Sequence, residues 1–354
     1  MPPSIIDSRP PLEHSFIPTT FVGRDDFQDA LSDSFTVEAD SPAQHLHVYG
    51  VRGTGKTHLL QRFLTTFPPT VTTCYLSGIP HDTQYKAVER LYQQLTGTEL
   101  GTGHHVADIQ RQITEQVTLP TVVVVDEVDF LLLNDGDDLL YFLSRLDNTA
   151  VITISANHQT LEDCLDDRTY SSFRPQHIHL EPYSASEARQ ILADRARQAL
   201  RPESIEQSTL SHITEMTQNI TLGRIWLREA ADTANERITL ELVEKLQPTV
   251  YQEYVEYLLA DFTPHHQRLY EAIERLADEL ESSFQTGAVY DEYREHCDTA
   301  GVAPLSERRV SDFLTHLERL NLIETTYHYG GVKGKTRDIT LVEWQSQSGL
   351  DKIE

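Results

Sequence analysis

The chain has 354 residues, of which 39% are hydrophobic and 24% are charged, so it can form two or three domains with buried cores. No run approaches roughly 18 apolar residues, and the first residues lack a basic start followed by an apolar stretch. We therefore expect neither a membrane span nor a secretory signal, and a cytoplasmic location. The three cysteines are far apart in the sequence, which excludes a disulfide framework and a cysteine-based zinc site.

The formal net charge is −26, and only six of the 29 basic residues are lysines. Repulsion among so many like charges destabilises a compact fold unless salt screens it. A cytosol with molar salt would favour such a lysine-poor, acidic chain, so we expect a halophilic source; an ordinary acidic protein is the alternative. The acidic total does not exclude a nucleic-acid partner, because the local charge decides that.

Predicted strands alternate with predicted helices in the first half of the chain. The strands cover residues 46–49, 71–76, 121–125, 150–155 and 177–180. Residues 121–125 are a β-branched run too apolar to face water, which is typical of a strand buried on both faces of a parallel sheet. The alternation predicts a doubly wound α/β layer.

The remainder of the chain is predicted to be helical until its last segment. Four helices are expected over residues 184–200, 203–217, 222–236 and 239–246, and a helical linker follows. Three more helices (264–283, 286–299, 305–320), a strand (322–327), a glycine-rich tip and a return strand (337–343) have the order of a winged helix. We therefore expect an α/β base at 16–181, a helical lid at 182–247 and a winged-helix domain at 248–354.

The segment from Gly50 to Thr57 fits the pattern G-x-x-x-x-G-K-[ST] between a predicted strand and a predicted helix, which is the context that this motif requires. Glycines let backbone N–H groups approach phosphate oxygens, and the helix N-terminus adds positive potential. Lys56 is expected to reach the β- and γ-phosphates, and Thr57 to hold Mg²⁺. A glycine-rich turn with an incidental lysine is the alternative to this nucleotide site.

Two carboxylates follow the apolar strand at residues 121–125. Asp126 is expected to complete the Mg²⁺ shell, and Glu127 to orient or polarise an attacking water. Adjacent carboxylates at the end of a strand can also be a simple polar stop. Together with the phosphate loop, they predict an ATP-hydrolysing site.

The strand and phosphate loop, the sequence DEVD, an asparagine after the next strand and a helical lid resemble the AAA+ ATPases. Within that class the chain resembles the archaeal replication initiators, relatives of the eukaryotic origin recognition complex and its helicase-loading partner. The resemblance covers residues 16–343. The stretches that carry it are FVGRD (21–25), GVRGTGKT (50–57), VVVVDEVDFLL (122–132), LDDR (165–168) with Ser171-Ser172, EPY (181–183), YDEY (290–293), PLSERR (304–309) and DFL (312–314).

The resemblance implies three further catalytic roles. Asn157 would contact the γ-phosphate or its attacking water, Arg168 would be the arginine finger offered to a neighbouring subunit, and Arg224 would reach the phosphates from the lid. Unlike most of the family, the chain has no acidic residue shortly before Arg224. Each role has an alternative. Asn157 can be a turn residue, Arg168 can form a surface salt bridge, and Arg224 can be an ordinary arginine on a helix surface. The nucleotide contacts that it implies are Val22, Arg24, Gly50, Val51, Arg52, Gly53, Thr54, Gly55, Lys56, Thr57, His58, Tyr183, Ile191 and Arg224.

A DNA-binding surface is predicted near the C-terminus. Residues 301–340 contain six basic and five acidic residues, a net charge of +1 in a chain of −26. Arg308 and Arg309 begin the third helix of the predicted winged helix and are placed for the major groove. Lys333, Lys335 and Arg337 form the wing, for which a solvated hairpin tip is the alternative. The family also contacts DNA with an inserted helix, which implies Lys86 and Arg90.

By resemblance, the chain is expected to be an ATP-dependent replication initiator that associates with the chromosome. Its expected partners are double-stranded origin DNA, the replicative minichromosome maintenance helicase and other initiator subunits. One alternative is a winged-helix ATPase that regulates transcription. Another is a catalytically weakened paralogue that holds nucleotide as a structural cofactor. A metabolic kinase is disfavoured because the C-terminal domain offers no chemistry for a substrate pocket.

Overall fold

The computed structural model describes residues 5–34, 44–101, 103–156, 161, 164–217, 219–279, 283–331 and 334–342. The chain divides into two compact units, which meet in the sequence between Leu246 and Gln247. The predicted base and all of the predicted lid except Gln247 belong to the first unit, and the boundary between base and lid stays a prediction. Within the described ranges, no helix has the length and apolar character that a membrane span requires.

A parallel sheet of five strands forms the centre of the described part of the first unit. The strands are β1 (Leu46–Tyr49), β2 (Thr72–Ser77), β3 (Thr121–Asp126), β4 (Thr149–Ser155) and β5 (Gln176–His179). Their order is β2-β3-β4-β1-β5, and each neighbouring pair is parallel. The predicted parallel α/β layer is confirmed.

Helices cover both faces of this sheet. They are α1 (Asp25–Ser34), α2 (Lys56–Leu64), α3 (Gln84–Thr96), α4 (Val106–Gln116), α5 (Val128–Asp135), α6 (Asp138–Leu143) and α7 (Asp167–Phe173). Successive residues of a strand point to opposite faces. Val122 and Val124 thus pack in one core with α1 and α2, whereas Val123 and Val125 pack in a second core with α3 to α6. Every residue of β3 is therefore buried.

Four described helices follow the sheet within the first unit: α8 (Ala185–Ala199), α9 (Gln207–Met216), α10 (Ile220–Thr233) and α11 (Leu240–Lys245). Helix α8 begins with a capping box, in which Ser184 and Glu187 each satisfy a backbone N–H of the other residue. The fully buried indole of Trp226 on α10 donates to the carbonyl oxygen of Val243 at 2.9 Å. This bond joins α10 to α11.

The N-terminal segment, residues 5–16, packs against these helices. The N–H groups of Asp7 and Ser8 donate to the carbonyl oxygen of Ala199, and Arg195 donates to the carbonyl oxygen of Pro11 at 2.7 Å. The segment therefore belongs to the folded body of the first unit.

The second unit contains a three-stranded antiparallel sheet in the order β6-β8-β7. Its elements are α12 (Gln247–Leu259), α13 (Pro264–Glu279), β6 (Phe284–Gln285), α14 (Thr286–Thr299), α15 (Glu307–Arg319), β7 (Ile323–Gly331) and β8 (Gly334–Leu341). The predicted winged-helix order is confirmed. The structure differs from the prediction in two strands. The sequence did not predict β6, because two residues are too few to show a periodic pattern. The pairing of β7 with β8 extends to Gly331 and Gly334, so the wing tip is shorter than predicted.

A buried histidine pair joins α13 and α15. His266 Nε2 lies 2.9 Å from His316 Nδ1, and the His266 ring stacks on Phe313 at 3.6 Å between ring centres. Burial lowers the pKa of His266 to about 3, so its imidazole is neutral at neutral pH. The pair is therefore part of the core of this unit.

Candidate nucleotide site and DNA-binding surface

The loop between β1 and α2 carries the predicted phosphate-binding motif. Gly53 and Gly55 have φ angles of +84° and +89°, in the left-handed region that other residues rarely adopt. The Thr54 hydroxyl donates to the carbonyl oxygen of Val51 at 3.0 Å and closes the turn. Helix α2 begins at Lys56, directly after the loop. The first N–H groups of a helix have no partners within it, so the loop and helix together suit a phosphate group.

Lys56 is buried beneath the loop. Its ammonium group donates to the carbonyl oxygens of Gly50 and Val51, the latter at 2.9 Å. Burial lowers the pKa of Lys56 to about 8, and the Asp126 carboxylate opposes that shift because it favours the charged form. A phosphate group beside this amine would favour the charged form further.

Asp126 and Thr57 meet at the carboxyl end of β3. Thr57 Oγ1 donates to Asp126 Oδ2 at 2.6 Å, and the hydroxyl of Tyr75 on β2 donates to the same oxygen. Burial raises the pKa of Tyr75, which keeps the phenol protonated and able to donate. A hydroxyl and a carboxylate are hard oxygen ligands of the kind that Mg²⁺ prefers. Thr57 and Asp126 therefore fit the magnesium ion of a bound nucleotide.

Glu127 stands at the start of α5, and its carboxylate contacts the phosphate loop and β2. Its backbone is left-handed, with φ 52° and ψ 41°, and it precedes α5 as the N-cap residue. The carboxylate accepts a hydrogen bond from Arg52 Nη1 at 2.9 Å, and the Ser77 hydroxyl on β2 lies 3.4 Å from its other oxygen. Burial raises the pKa of Glu127, and the Arg52 guanidinium opposes that shift. A carboxylate in this place can accept a proton from water.

Arg24 and Tyr183 form a buried stack beside the loop, with the guanidinium 3.9 Å from the ring centre. Arg24 also donates to the carbonyl oxygens of Glu181 at 2.8 Å and Thr54 at 3.3 Å. The Tyr183 hydroxyl lies 3.0 Å from the place where a β-carbon on Gly55 would be. Both residues thus lie close to the phosphate loop, and their predicted contacts with the nucleotide stay predictions.

Three other predicted contacts are Val22, Ile191 and His58, and one predicted catalytic residue falls outside the described residues. Val22 and Ile191 are half-buried. His58 Nε2 lies 2.8 Å from the carbonyl oxygen of His14, which joins α2 to the N-terminal segment. Asn157 falls outside the described residues, so its predicted contact with the γ-phosphate stays a prediction.

Helix α10 approaches the phosphate loop through its N-terminus. A β-carbon on Gly53 would lie 2.4 Å from the side-chain oxygen of Asn219, which accepts hydrogen bonds from the first turn of α10. Arg224, one turn further along, is buried and donates to the carbonyl oxygen of Leu12 at 3.0 Å. Its predicted phosphate contact stays a prediction, and the structure instead shows it bound to the N-terminal segment.

Arg168, the predicted arginine finger, is exposed on α7. It donates to Asp138 at 3.2 Å, and its guanidinium lies 4.0 Å from the ring centre of Tyr141. The three residues are among those that line a surface groove with a volume of about 650 Å³. An arginine on an exposed wall is accessible to another molecule.

The predicted DNA-binding residues differ in their exposure. Arg308 and Arg309 are exposed in the first turn of α15, after the N-cap Ser306. Arg337 is buried, pairs with Glu318 at 2.9 Å and lies over the ring of Tyr327. This ion pair within the unit places Arg337 in the packing of the wing rather than at its surface.

The structure does not describe the side chains of two lysines of the predicted wing. Lys333 lies outside the described residues, and only the backbone of Lys335 is described, within β8. On α3, Lys86 and Arg90 are exposed, and Lys86 pairs with Asp82 at 2.5 Å. These four positions stay predictions.

The sequence did not identify Tyr75, Ser77 or Asn219 as parts of the site. Tyr75 and Ser77 lie on β2, far from the motifs in the chain, and reach Asp126 and Glu127 because β2 pairs with β3. Asn219 is a helix N-cap residue that only the packing of α10 brings to Gly53. The parallel order of the strands could have pointed to β2, but nothing in the sequence pointed to Asn219.

Comparisons with known proteins agree with this arrangement. A family model described as an AAA domain matches residues 39–165, and one described as the CDC6 C-terminal winged helix domain matches residues 258–347. The two matches together cover more than half of the chain. The first match contains the phosphate loop and β3, and the second match lies in the second unit.

The chain is also similar to replication proteins over nearly its full length. It is 26% identical to the ORC1-type DNA replication protein of Thermococcus kodakarensis, covering 95% of this chain and 88% of that protein. It is 27% identical to ORC1-type DNA replication protein 1 of Methanothermobacter thermautotrophicus, covering 96% and 94%. The solved structure of the Aeropyrum pernix ORC1 protein in complex with DNA matches with a TM-score of 0.75 at 22% identity, covering 96% of this chain and 94% of that one.

Gly53→Ala is expected to weaken ATP binding by about tenfold or more, because it strains a left-handed position and drives a β-carbon into Asn219. Titration of the full chain with a fluorescent ATP analogue measures this loss. Gly97→Ala is the matched control, since Gly97 also has a positive φ (+69°) but has nothing within 4 Å of the added carbon. Equal affinities for the two variants would contradict the prediction.

Arg308→Gln with Arg309→Gln is expected to weaken binding of double-stranded DNA by roughly tenfold or more, since both guanidiniums are lost from the exposed start of α15. Fluorescence anisotropy over a series of salt concentrations measures the affinity and its salt slope. Arg268→Gln, which removes one positive charge from α13 of the same unit, is the control for loss of charge elsewhere. An unchanged affinity in the double variant would exclude this helix as the DNA contact.

Proposed function

Because this chain belongs to the archaeal Orc1/Cdc6 family of replication proteins, we propose that it is an ATP-dependent replication initiator that binds origin DNA and helps recruit the replicative minichromosome maintenance helicase. The observation that carries the proposal is one chain with two functional parts. The first unit has a phosphate loop beside a Thr57–Asp126 pair, and the second is a winged helix with exposed arginines at the start of α15.

ATP binding is assigned to the phosphate loop and its neighbours. The loop N–H groups and Lys56 take the phosphates, while Arg24 and Tyr183 lie on the side where the adenine is expected. Thr57 and Asp126 would hold a magnesium ion, which would supply positive charge for the phosphate oxygens. Val22 and Ile191 are half-buried, and an apolar contact with the base is assigned to both.

Hydrolysis is assigned to Glu127. A water molecule attacks the γ-phosphorus, the bond from that phosphorus to the oxygen bridging it to the β-phosphate breaks, and ADP and phosphate leave. Glu127 orients the water and accepts its proton. Arg168, exposed on α7, would stabilise the charge that develops on the nucleotide of a neighbouring subunit. Asn157, which follows β4 in the sequence, would hold the water or the γ-phosphate.

The nucleotide acts as a switch in this proposal. Asn219 at the start of α10 lies against Gly53, so a nucleotide in the loop must change or use this contact. Arg224 on α10 and His58 on α2 both bind the N-terminal segment, which therefore links α10 to α2. ATP binding would thus set the position of the lid helices on the base, and hydrolysis would reset it. The protein works on the chromosome in the cytoplasm, with DNA and further initiator subunits as its partners.

Glu127→Gln is expected to keep ATP and DNA binding and to lower ATP turnover by about a hundredfold or more, since it removes the proton acceptor without removing a phosphate contact. Lys56→Ala is expected to lose ATP binding as well. Turnover and binding are measured on the full chain at native salt. DNA binding and turnover that are both unchanged in Glu127→Gln would favour a module that holds nucleotide as a structural cofactor.

A genome-wide occupancy map in the native cells tests the initiator against the transcription regulator. Occupancy at one or a few loci that coincide with replication start points is expected, because an initiator marks origins. Occupancy at many promoters away from any start point would overturn the proposal and favour the regulator.

A further inference from the structure

Arg52 is the third residue of the phosphate loop, at a position that the G-x-x-x-x-G-K-[ST] pattern leaves open. Its side chain leaves the loop and binds Glu127. We propose that Arg52 is a positioning residue for hydrolysis, which holds the Glu127 carboxylate in place through a direct ion pair. The inference rests on the ATPase activity proposed above and adds a residue to it.

The geometry of the ion pair supports a fixed arrangement. Arg52 Nη1 lies 2.9 Å from Glu127 Oε1, and the two side chains are only 23% and 25% exposed. Charge-assisted hydrogen bonds of this length are stronger than neutral ones, and partial burial reduces screening by salt. The weak screening matters for a chain whose composition predicts a salty cytosol.

Two further contacts restrict the pair. The Arg52 guanidinium lies 5.8 Å from the ring centre of Phe130, which is buried on α5 one turn after Glu127. On the other side of the carboxylate, the Ser77 hydroxyl lies 3.4 Å from Glu127 Oε2. Three elements, the phosphate loop, β2 and α5, thus define where the carboxylate stands.

The charges around Glu127 explain why it needs a cation. Asp126 and Asp129 are both buried nearby, and their carboxylates repel that of Glu127. Lys56 is the other cation of the loop, but it donates to the loop carbonyls and is assigned to the phosphates. Arg52 therefore provides the direct attraction that holds the Glu127 carboxylate in place against the repulsion of Asp126 and Asp129.

This attraction matters for the rate because a proton acceptor must stay within hydrogen-bond reach of the attacking water. Displacing a reacting group by about 1 Å can cost about a hundredfold in rate. The Arg52 side chain contacts neither water nor phosphate in this assignment and acts only through Glu127, so the nucleotide contact predicted for Arg52 falls to its backbone N–H. Its loss should therefore lower turnover without an equal loss of ATP affinity.

The test compares turnover number and ATP affinity in the full chain for Arg52→Gln and Arg52→Lys. Arg52→Gln is expected to lower kcat by about tenfold or more, whereas its Kd for ATP stays within about threefold of the wild-type value. Arg52→Lys is expected to recover most of the lost kcat, because an ammonium group can still pair with the carboxylate. Arg62→Gln, which removes an exposed charge from α2, is the matched control and should leave kcat unchanged.

Several outcomes overturn the inference while the ATPase assignment stands. They are an unchanged or raised kcat in Arg52→Gln, no recovery in Arg52→Lys, and a loss of ATP affinity as large as the loss of kcat. Glu127→Gln separates the two levels. If the wild-type chain hydrolyses ATP no faster than Glu127→Gln, the proposed ATPase activity is wrong, and the inference with it. Turnover that depends on Glu127 but not on Arg52 refutes the inference alone.

Discussion

The hydrogen bond of 2.6 Å between Thr57 and Asp126 joins the first turn of α2, directly after the phosphate loop, to the end of β3. It forms because β1 and β3 belong to one parallel sheet and both end at the same edge. Everything assigned to the nucleotide is placed relative to this edge: the loop after β1, the carboxylates after β3, and the supporting groups Tyr75 and Ser77 on β2. The strand order brings residues far apart in the chain within hydrogen-bond distance.

The hydrophobic core holds this edge in place. All residues of β3 are buried, and its valines pack alternately into two separate cores. Burial of one such side chain contributes about 1.5–3 kcal/mol. A polar site can stand at the end of this strand because the rest of the strand is fixed on both faces. The left-handed backbone of Glu127 then turns the chain from the sheet into α5.

Charge has a different role in the two units. The chain as a whole is strongly acidic, which the composition links to a salty cytosol, and a halophilic source stays a prediction. Beside the phosphate loop, the positive charges of Arg52 and Lys56 oppose the negative charges of the buried carboxylates. On the second unit, Arg308 and Arg309 are exposed at the start of α15, whereas Arg337 is neutralised by Glu318. The local pairing of each arginine, and not the total charge, decides which of them can meet a phosphate backbone.

The sequence by itself determined the parallel α/β layer, the phosphate loop, the carboxylates after β3 and the winged-helix order, because these follow from local patterns and fixed spacings. It did not reveal Tyr75, Ser77 and Asn219, nor the ion pair of Arg52, nor the burial of Arg337. Arg224 illustrates the same limit, since its bond to Leu12 joins positions that are distant in the chain. Only the tertiary structure decided these contacts, because they depend on which strands and helices pack together, and no local pattern of residues encodes a partner that far away.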